Sequence, residues 1–442
     1  MSRLSAILSL VLLLTPCAGA EAAAPLPEDG FPQLRGILNQ IGTKSPSIMA
    51  EEQRIEEGEA ALKAASSGRN PHVNSFARLQ GQYETRINSH SDSNDNFNFG
   101  PYASVYANLP LYHWGEFKAR EDQAQGRIDS ATGWTGMRIL QLRQDLRRYY
   151  VDYQLALKGE EIAKESIAYA RKKEEGLKTL VDNGQAPRQN LVEARIFAQE
   201  RAEELADAVS RAGYDLDLIR EMCGQGGLEI SPEQIPDIEP MDASELDRMT
   251  RAAAAAISPE VASLEGELQT EEAFFRELGS RNRPKIDVVV SSNVDYVDEY
   301  RPDGTYGTVP RVYNWAGIQA NWTIYDGGTN NAEQLASMAR QRRIQARITE
   351  ARLRQSREVS SAAREARLNA ERLLTRRARV KMLEESVDLM ELQMSQNLIS
   401  ANDLFQRKLD LQRTRLDLLQ ACASYMLAVA RLDDMAKTHF QR

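Results

Sequence analysis

From His72 onward apolar and polar residues alternate with period two: Val73, Ser75, Ala77 and Leu79 share one face, and Asn74, Phe76, Arg78, Gln80 and Gln82 the other. A second run sets Ala103, Val105, Ala107 and Leu109 against Tyr102, Ser104, Tyr106 and Asn108. Strict alternation predicts half-buried strands. After Gly115 the spacing changes to three and four (Ile139, Leu142, Leu146, Tyr149, Tyr153), which predicts one helix to about Asn183. The whole order then repeats. Ile286, Val288, Val290, Ser292 and Val294 begin a third strand; Ala316, Ile318, Ala320, Trp322 and Ile324 mark a fourth; and a second long helix follows Gly328.

The copy lies 213 positions downstream. Ser45-Pro46 maps onto Ser258-Pro259, Pro71 onto Pro284, Tyr83 onto Tyr296, Ala107-Asn108 onto Ala320-Asn321, Tyr112 onto Tyr325 and Leu191 onto Leu404. Matched prolines, strands and loop lengths mark a tandem duplication. The expected organisation is a signal peptide at 1–20, an extended or loosely packed lead-in at 21–44, repeat 1 at 45–223, a Gly/Pro-rich connector at 224–257, repeat 2 at 258–436 and a tail at 437–442. Within repeat 1 we expect strands near 71–84 and 99–112, the long helix near 116–183 and a returning helix near 187–222. Repeat 2 places these at 284–297, 312–325, 329–396 and 401–435. The two helical hairpins turn at Asp182–Pro187, where Asn-Gly suits a left-handed cap, and at Gln396–Asn402.

A helix of this length reaches roughly 100 Å, too long for one globule, so it must pack as an extended coiled coil. Strands of 11–13 residues with one apolar face suit a transmembrane β-barrel, where about 9–11 residues span the bilayer. Val105, Ala107, Leu109, Ile318, Ala320 and Trp322 are the expected membrane-facing positions. Four strands cannot close a barrel, because closed barrels need about eight or more, so copies must join.

Composition narrows the function. Arg3, the apolar run Leu4–Leu14 and Ala18-Gly19-Ala20 read as a secretory signal with a small-x-small cleavage site. Cys17 offers a lipoprotein alternative, which the preceding Pro16 fits poorly. Cys223 and Cys422 are too few for a disulfide framework and are expected to be unpaired, partly buried thiols. A net charge of −9 with interspersed signs offers no basic face for nucleic acid. The four histidines are scattered without metal-ligand spacing; phosphate loops, nucleophile elbows and Cys-x-x-Cys are absent from the sequence. We therefore expect no catalytic residue, no metal and no cofactor, and no enzyme.

The duplicated order, the strand-to-helix junctions LPLYHWGE and WTIYDGGT, and the tips VDNGQAPRQNLVEA and SQNLISANDLFQR closely resemble the TolC-like outer-membrane efflux and secretion channels. That resemblance covers roughly Ser45 to Met435. It implies a homotrimer with a twelve-stranded outer-membrane barrel continued by an all-α coiled-coil barrel across the periplasm, serving as a passive exit duct in tripartite efflux or type I secretion. Expected partners are a periplasmic membrane-fusion adaptor, an inner-membrane pump and outer-membrane lipid. The adaptor would dock at the tips, Asn183, Gly184, Gln185, Ala186 and Pro187, with Asn397, Leu398, Ile399 and Ser400. The gate would fall at Asp403, with Asn190 at the matching place of repeat 1, and Gln406. An aromatic and an arginine that lock the closed gate in the family's best-known member correspond to Met394 and Ile399 here, so that lock is absent or rebuilt. The alternative is a periplasmic coiled-coil adaptor or scaffold, which carries one such hairpin and lipoyl-like domains.

Overall fold

The computed structural model describes residues 25–87, 93–300, 306–396 and 398–437. The expected signal peptide, Cys17 and Asn397 lie outside these. The chain runs α1 (Pro27–Gly30), α2 (Pro32–Lys44), α3 (Pro46–Ser67), β1 (His72–Ile87), β2 (Ser93–Tyr112), α4 (Glu116–Asp182) and α5 (Arg188–Cys223). It continues through α6 (Ala243–Ala255), α7 (Pro259–Arg281), β3 (Lys285–Tyr300), β4 (Tyr306–Asn321), α8 (Thr329–Ser395) and α9 (Ala401–Ala436). Both long helices have 67 residues and both returning helices 36. Starts at 116 and 329, 188 and 401, and 72 and 285 keep the 213 offset through the fold.

Local chemistry sets the ends. Pro46 and Pro259 open α3 and α7, where a missing N–H costs no helical hydrogen bond. Gly115 and Gly328 start the long helices with φ of 82° and 87°, a region hostile to side chains. Asp326 caps α8 by accepting from the N–H groups of Gly328 (3.0 Å) and Asn330 (2.9 Å). At the first tip Gly184 is left-handed, and the Gln185 N–H returns to the Leu180 carbonyl at 2.8 Å.

The helices pack closely where side chains are small. Beneath the sheet, α4 meets α7 with almost no side-chain layer: a Cβ on Gly133 would sit 2.5 Å from the Ser263 nitrogen, and one on Gly266 would sit 2.5 Å from the Ser130 nitrogen. Five Arg–Glu pairs among the described residues then bind α8 to α7, among them Arg340–Glu271 and Arg347–Glu267. Nearer the tips α4 pairs with α5, α8 with α9, and α4 also touches α9.

Two expectations need correction. Residues 27–30 and 32–44 are helical, not extended, and Phe31 between them, Leu34, Leu38 and Ile41 are buried against Leu146, Tyr150, Ile219 and Ile230. Prolines at both helix starts and glycines within α2 mask a three-and-four spacing that is nonetheless present. Strand β4 ends at Asn321, not near 325, so Trp322 lies beyond it. In β2 pairing continues because Tyr112 faces Ile286 of β3, whereas β4 has no outer neighbour among the described residues.

The connector is a strap around the helices at mid-length. Glu233 accepts from the Tyr150 hydroxyl (2.7 Å), and its N–H donates to Oε1 of the Gln154 side chain (2.8 Å). Further on, the Met241 N–H donates to the Tyr425 hydroxyl at 2.8 Å. Cys223 and Cys422 are free and buried, and burial pushes the Cys223 thiol up to about 11.

Candidate functional site: the sheet, the junction and the tips

The four strands form one antiparallel sheet in the order β1-β2-β3-β4. Register carries a single face across it. Val73 pairs with Ala107, Ala107 with Val290, and Val290 with Ala316, while Leu109, Val288 and Ile318 form the next row. Val73, Val105, Val290 and Ile318 on this face are exposed, with Ile318 at 74%. On the opposite face Asp287, Val289, Ser291 and Asn293 of β3 are all buried. The expected positions Val105, Ala107, Leu109, Ile318 and Ala320 therefore share one face. Trp322 does not join them, since its indole N–H turns back to the Asn282 carbonyl (3.1 Å). One row of the apolar face is largely polar, with Ser75, Ser292 and Asn314 beside Val105.

Where sheet becomes helix, a buried charge cluster fixes the angle between them. His113 Nε2 lies 2.8 Å from Asp287 of β3, and its Nδ1 lies 3.5 Å from Glu116 of α4. Glu116 also binds Lys285 (2.6 Å) and Arg120, and Arg120 reaches Glu277 of α7 at 3.0 Å. Burial alone would raise the Glu116 carboxyl, but Lys285 and Arg120 more than reverse this and hold it below the usual range. Trp114 takes a left-handed φ of 56° where the second repeat has Gly327 at 73°. Its indole N–H donates to the Pro284 carbonyl (2.7 Å), and the Arg283 guanidinium lies 5.2 Å from its ring.

At the tips, Asn183, Gly184, Gln185 and Pro187 are exposed, Ala186 is half-buried, Leu398 is exposed at 68%, and Ile399 packs on the α8–α9 seam. The residues expected at the gate behave differently. Asp403 is tied into a capping box: its N–H donates to the Ser400 hydroxyl (3.2 Å), which donates to its carboxylate (2.7 Å). Asn190 is exposed in the first turn of α5, and Gln406 is half-buried. Sequence reasoning missed Tyr169 of α4. Its hydroxyl donates to Asn402 (2.7 Å) and its ring stacks on Phe405, so it bridges the two helical hairpins beside Asp403. Burial, and then the Asp403 carboxylate, raise the Tyr169 phenol. Gln412–Glu165 (2.7 Å) and Arg413–Glu204 (3.3 Å) extend the bridge toward mid-length.

Among the described residues no helix is long and apolar enough to cross a membrane. The arrangement is an open sheet with an exposed apolar face set on two very long helical hairpins. Three solved channels share it. The Campylobacter jejuni CmeC outer membrane channel matches with a TM-score of 0.72 at 11% identity, over 91% of this chain and 85% of that one. The outer membrane protein VceC from Vibrio cholerae gives 0.68 at 14%, over 93% and 98%. The open state of the Neisseria gonorrhoeae MtrE outer membrane channel gives 0.69 at 14%, over 92% and 89%. At such identities the likeness is one of fold. Residues 37–215, most of the first repeat, match the outer membrane efflux protein family. Over those residues the chain is similar to that family, and over its length it has the fold of these outer-membrane channels. No curated protein matches it. The adaptor alternative is not favoured, because this fold doubles the hairpin and adds the sheet.

Proposed function

We propose that three copies join their sheets edge to edge as one twelve-stranded barrel in the outer membrane. Their helices then line a periplasmic tunnel, and the assembly is the passive exit duct of a tripartite efflux or type I secretion system. The carrying observation is the open sheet. The outer sides of its edge strands β1 and β4 have no strand partner among the described residues, and its apolar face is exposed. Hydrocarbon tolerates no unpaired edge, and four strands are too few to seal one. Lipid would cover Val105, Ala107, Leu109, Ile318 and Ala320. A periplasmic adaptor would dock at 183–187 and 397–400, coupling the duct to an inner-membrane pump that supplies the energy. The gate would lie at the Tyr169–Asn402–Phe405 bridge, with Asp403 next to it.

Purification from outer membranes tests this reading. The expected product is a heat-modifiable trimer in detergent that conducts ions in planar bilayers. A monomer that stays in solution without detergent would refute it.

A further inference from the structure

The polar face of the sheet carries rings where a wet lumen calls for polar side chains. Register sets Asn74, Tyr106, Ser291 and Trp315 in one row. The next row outward holds Phe76, Ser104, Asn293 and Tyr313. Phe76, Tyr313 and Trp315 are 54%, 48% and 42% exposed, although they lie on the face opposite the apolar one. Between them Asn293 and Ser291 are already engaged: Asn293 donates to Ser291 (3.0 Å) and accepts from the Tyr102 hydroxyl (3.2 Å).

Charge frames these two rows. Farther out stand Arg78, whose guanidinium lies over the Tyr102 ring at 4.9 Å and the Phe76 ring at 5.7 Å, and the Arg311–Asp295 pair at 3.5 Å. On the helix side, beyond one further row, stands Asp287, held by His113. Neither row contains a charged residue. Lipid faces the other side of the sheet, so it cannot cover these rings. A flat, uncharged ring system offers its face to another ring by stacking and dispersion, without choosing by charge.

We propose that Phe76, Tyr106, Tyr313 and Trp315 form a neutral aromatic collar inside the duct that briefly holds planar aromatic cargo in transit. This rests on the duct reading above. Copies meeting at β1 and β4 bring Phe76 of one beside the β4 rings of the next, so the collar closes only in the assembly.

The test is single-channel recording of the purified assembly in planar bilayers, with 2-naphthol as probe and its saturated analogue, decahydro-2-naphthol, as control. 2-Naphthol is expected to interrupt the current reversibly and the saturated analogue not to. In Tyr313→Ala/Trp315→Ala the interruptions should shorten about tenfold, the scale of a lost ring contact in each of several copies, while the open pore still conducts. If that double variant fails to assemble, Trp315→Leu, which keeps bulk and removes the aromatic face, carries the same expectation. Equal interruptions by both alcohols, or interruptions unchanged in the variants, would overturn the collar alone. A preparation that never conducts would overturn the duct, and the collar with it.

Discussion

Tyr169 of α4 lies flat on Phe405 of α9, ring centroids 3.3 Å apart and planes 11° from parallel. The same tyrosine donates its hydroxyl to Asn402 at 2.7 Å. One side chain thus joins the first helical hairpin to the second near the tip. The stack and the hydrogen bond each contribute about 1 kcal/mol, so Tyr169→Ala should raise occupancy of an open tip about thirtyfold. Tyr169→Phe keeps the stack and should fall between. Conductance in planar bilayers reads the difference; identical currents in all three proteins would exclude this contact from gating.

Asp403 has two separable roles. As a cap it needs only an acceptor; as part of an acidic ring it needs charge. Asp403→Asn keeps an acceptor for the Ser400 N–H and hydroxyl and removes the charge. If three copies bring this carboxylate near one axis, the variant should weaken block of the current by trivalent cations. Wild-type block would leave Asp403 as a helix cap and nothing more.

These two residues show where sequence reasoning ends. The duplication, the strands, the tips and the shared apolar face were legible because each follows from local period or a fixed offset. Asp403 was reachable the same way, by its place in a tip motif. Tyr169 was not, since its partner Asn402 lies 233 positions away and nothing in either neighbourhood encodes the meeting. Trp322 went wrong for a related reason. Alternation continued past Asn321, but a strand needs a neighbour, and the indole found the Asn282 carbonyl instead. The short helices at 27–44 were hidden by their own prolines, which read as breakers although they stand at helix starts.

Arg147 is buried with two carboxylates, Glu28 of α1 at 2.6 and 2.9 Å and Asp434 of α9 at 2.7 Å. Arg147→Met should cost about 3–5 kcal/mol, because it strands both acids away from water. The pH dependence has a definite sign. Burial alone would raise the Glu28 carboxyl, but Arg147 overrides it and the net shift is downward. Its stabilisation is therefore complete above the ordinary glutamate range and is lost as pH falls through the lowered folded value. Asp434 goes the other way: burial outweighs Arg147 and raises it, so its protonation in mild acid offsets part of the loss. Thermal unfolding between neutral pH and pH about 3 should show Tm falling mainly at the acidic end in the wild type. Glu28→Gln should flatten that acidic limb; an unchanged limb would exclude Glu28 as its source.

Two glycines of α4 should respond to alanine with opposite signs. At Gly133 a Cβ would lie 2.5 Å from the Ser263 nitrogen and 2.7 Å from its Cα, atoms of another helix's backbone that cannot swing aside. Gly133→Ala must push α7 away, at a cost of about 1–3 kcal/mol. The second repeat has Ala346 at the matching position, so the close approach belongs to the α4–α7 seam and not to the helix type. At Gly176, in the same helix, a Cβ would meet nothing within 4 Å. Gly176→Ala should instead stabilise by up to about 1 kcal/mol, through the reduced freedom of the unfolded chain. Denaturation of the two variants in the same detergent compares them directly. If both moved stability in the same direction, the α4–α7 backbone contact would not be the determinant of this packing.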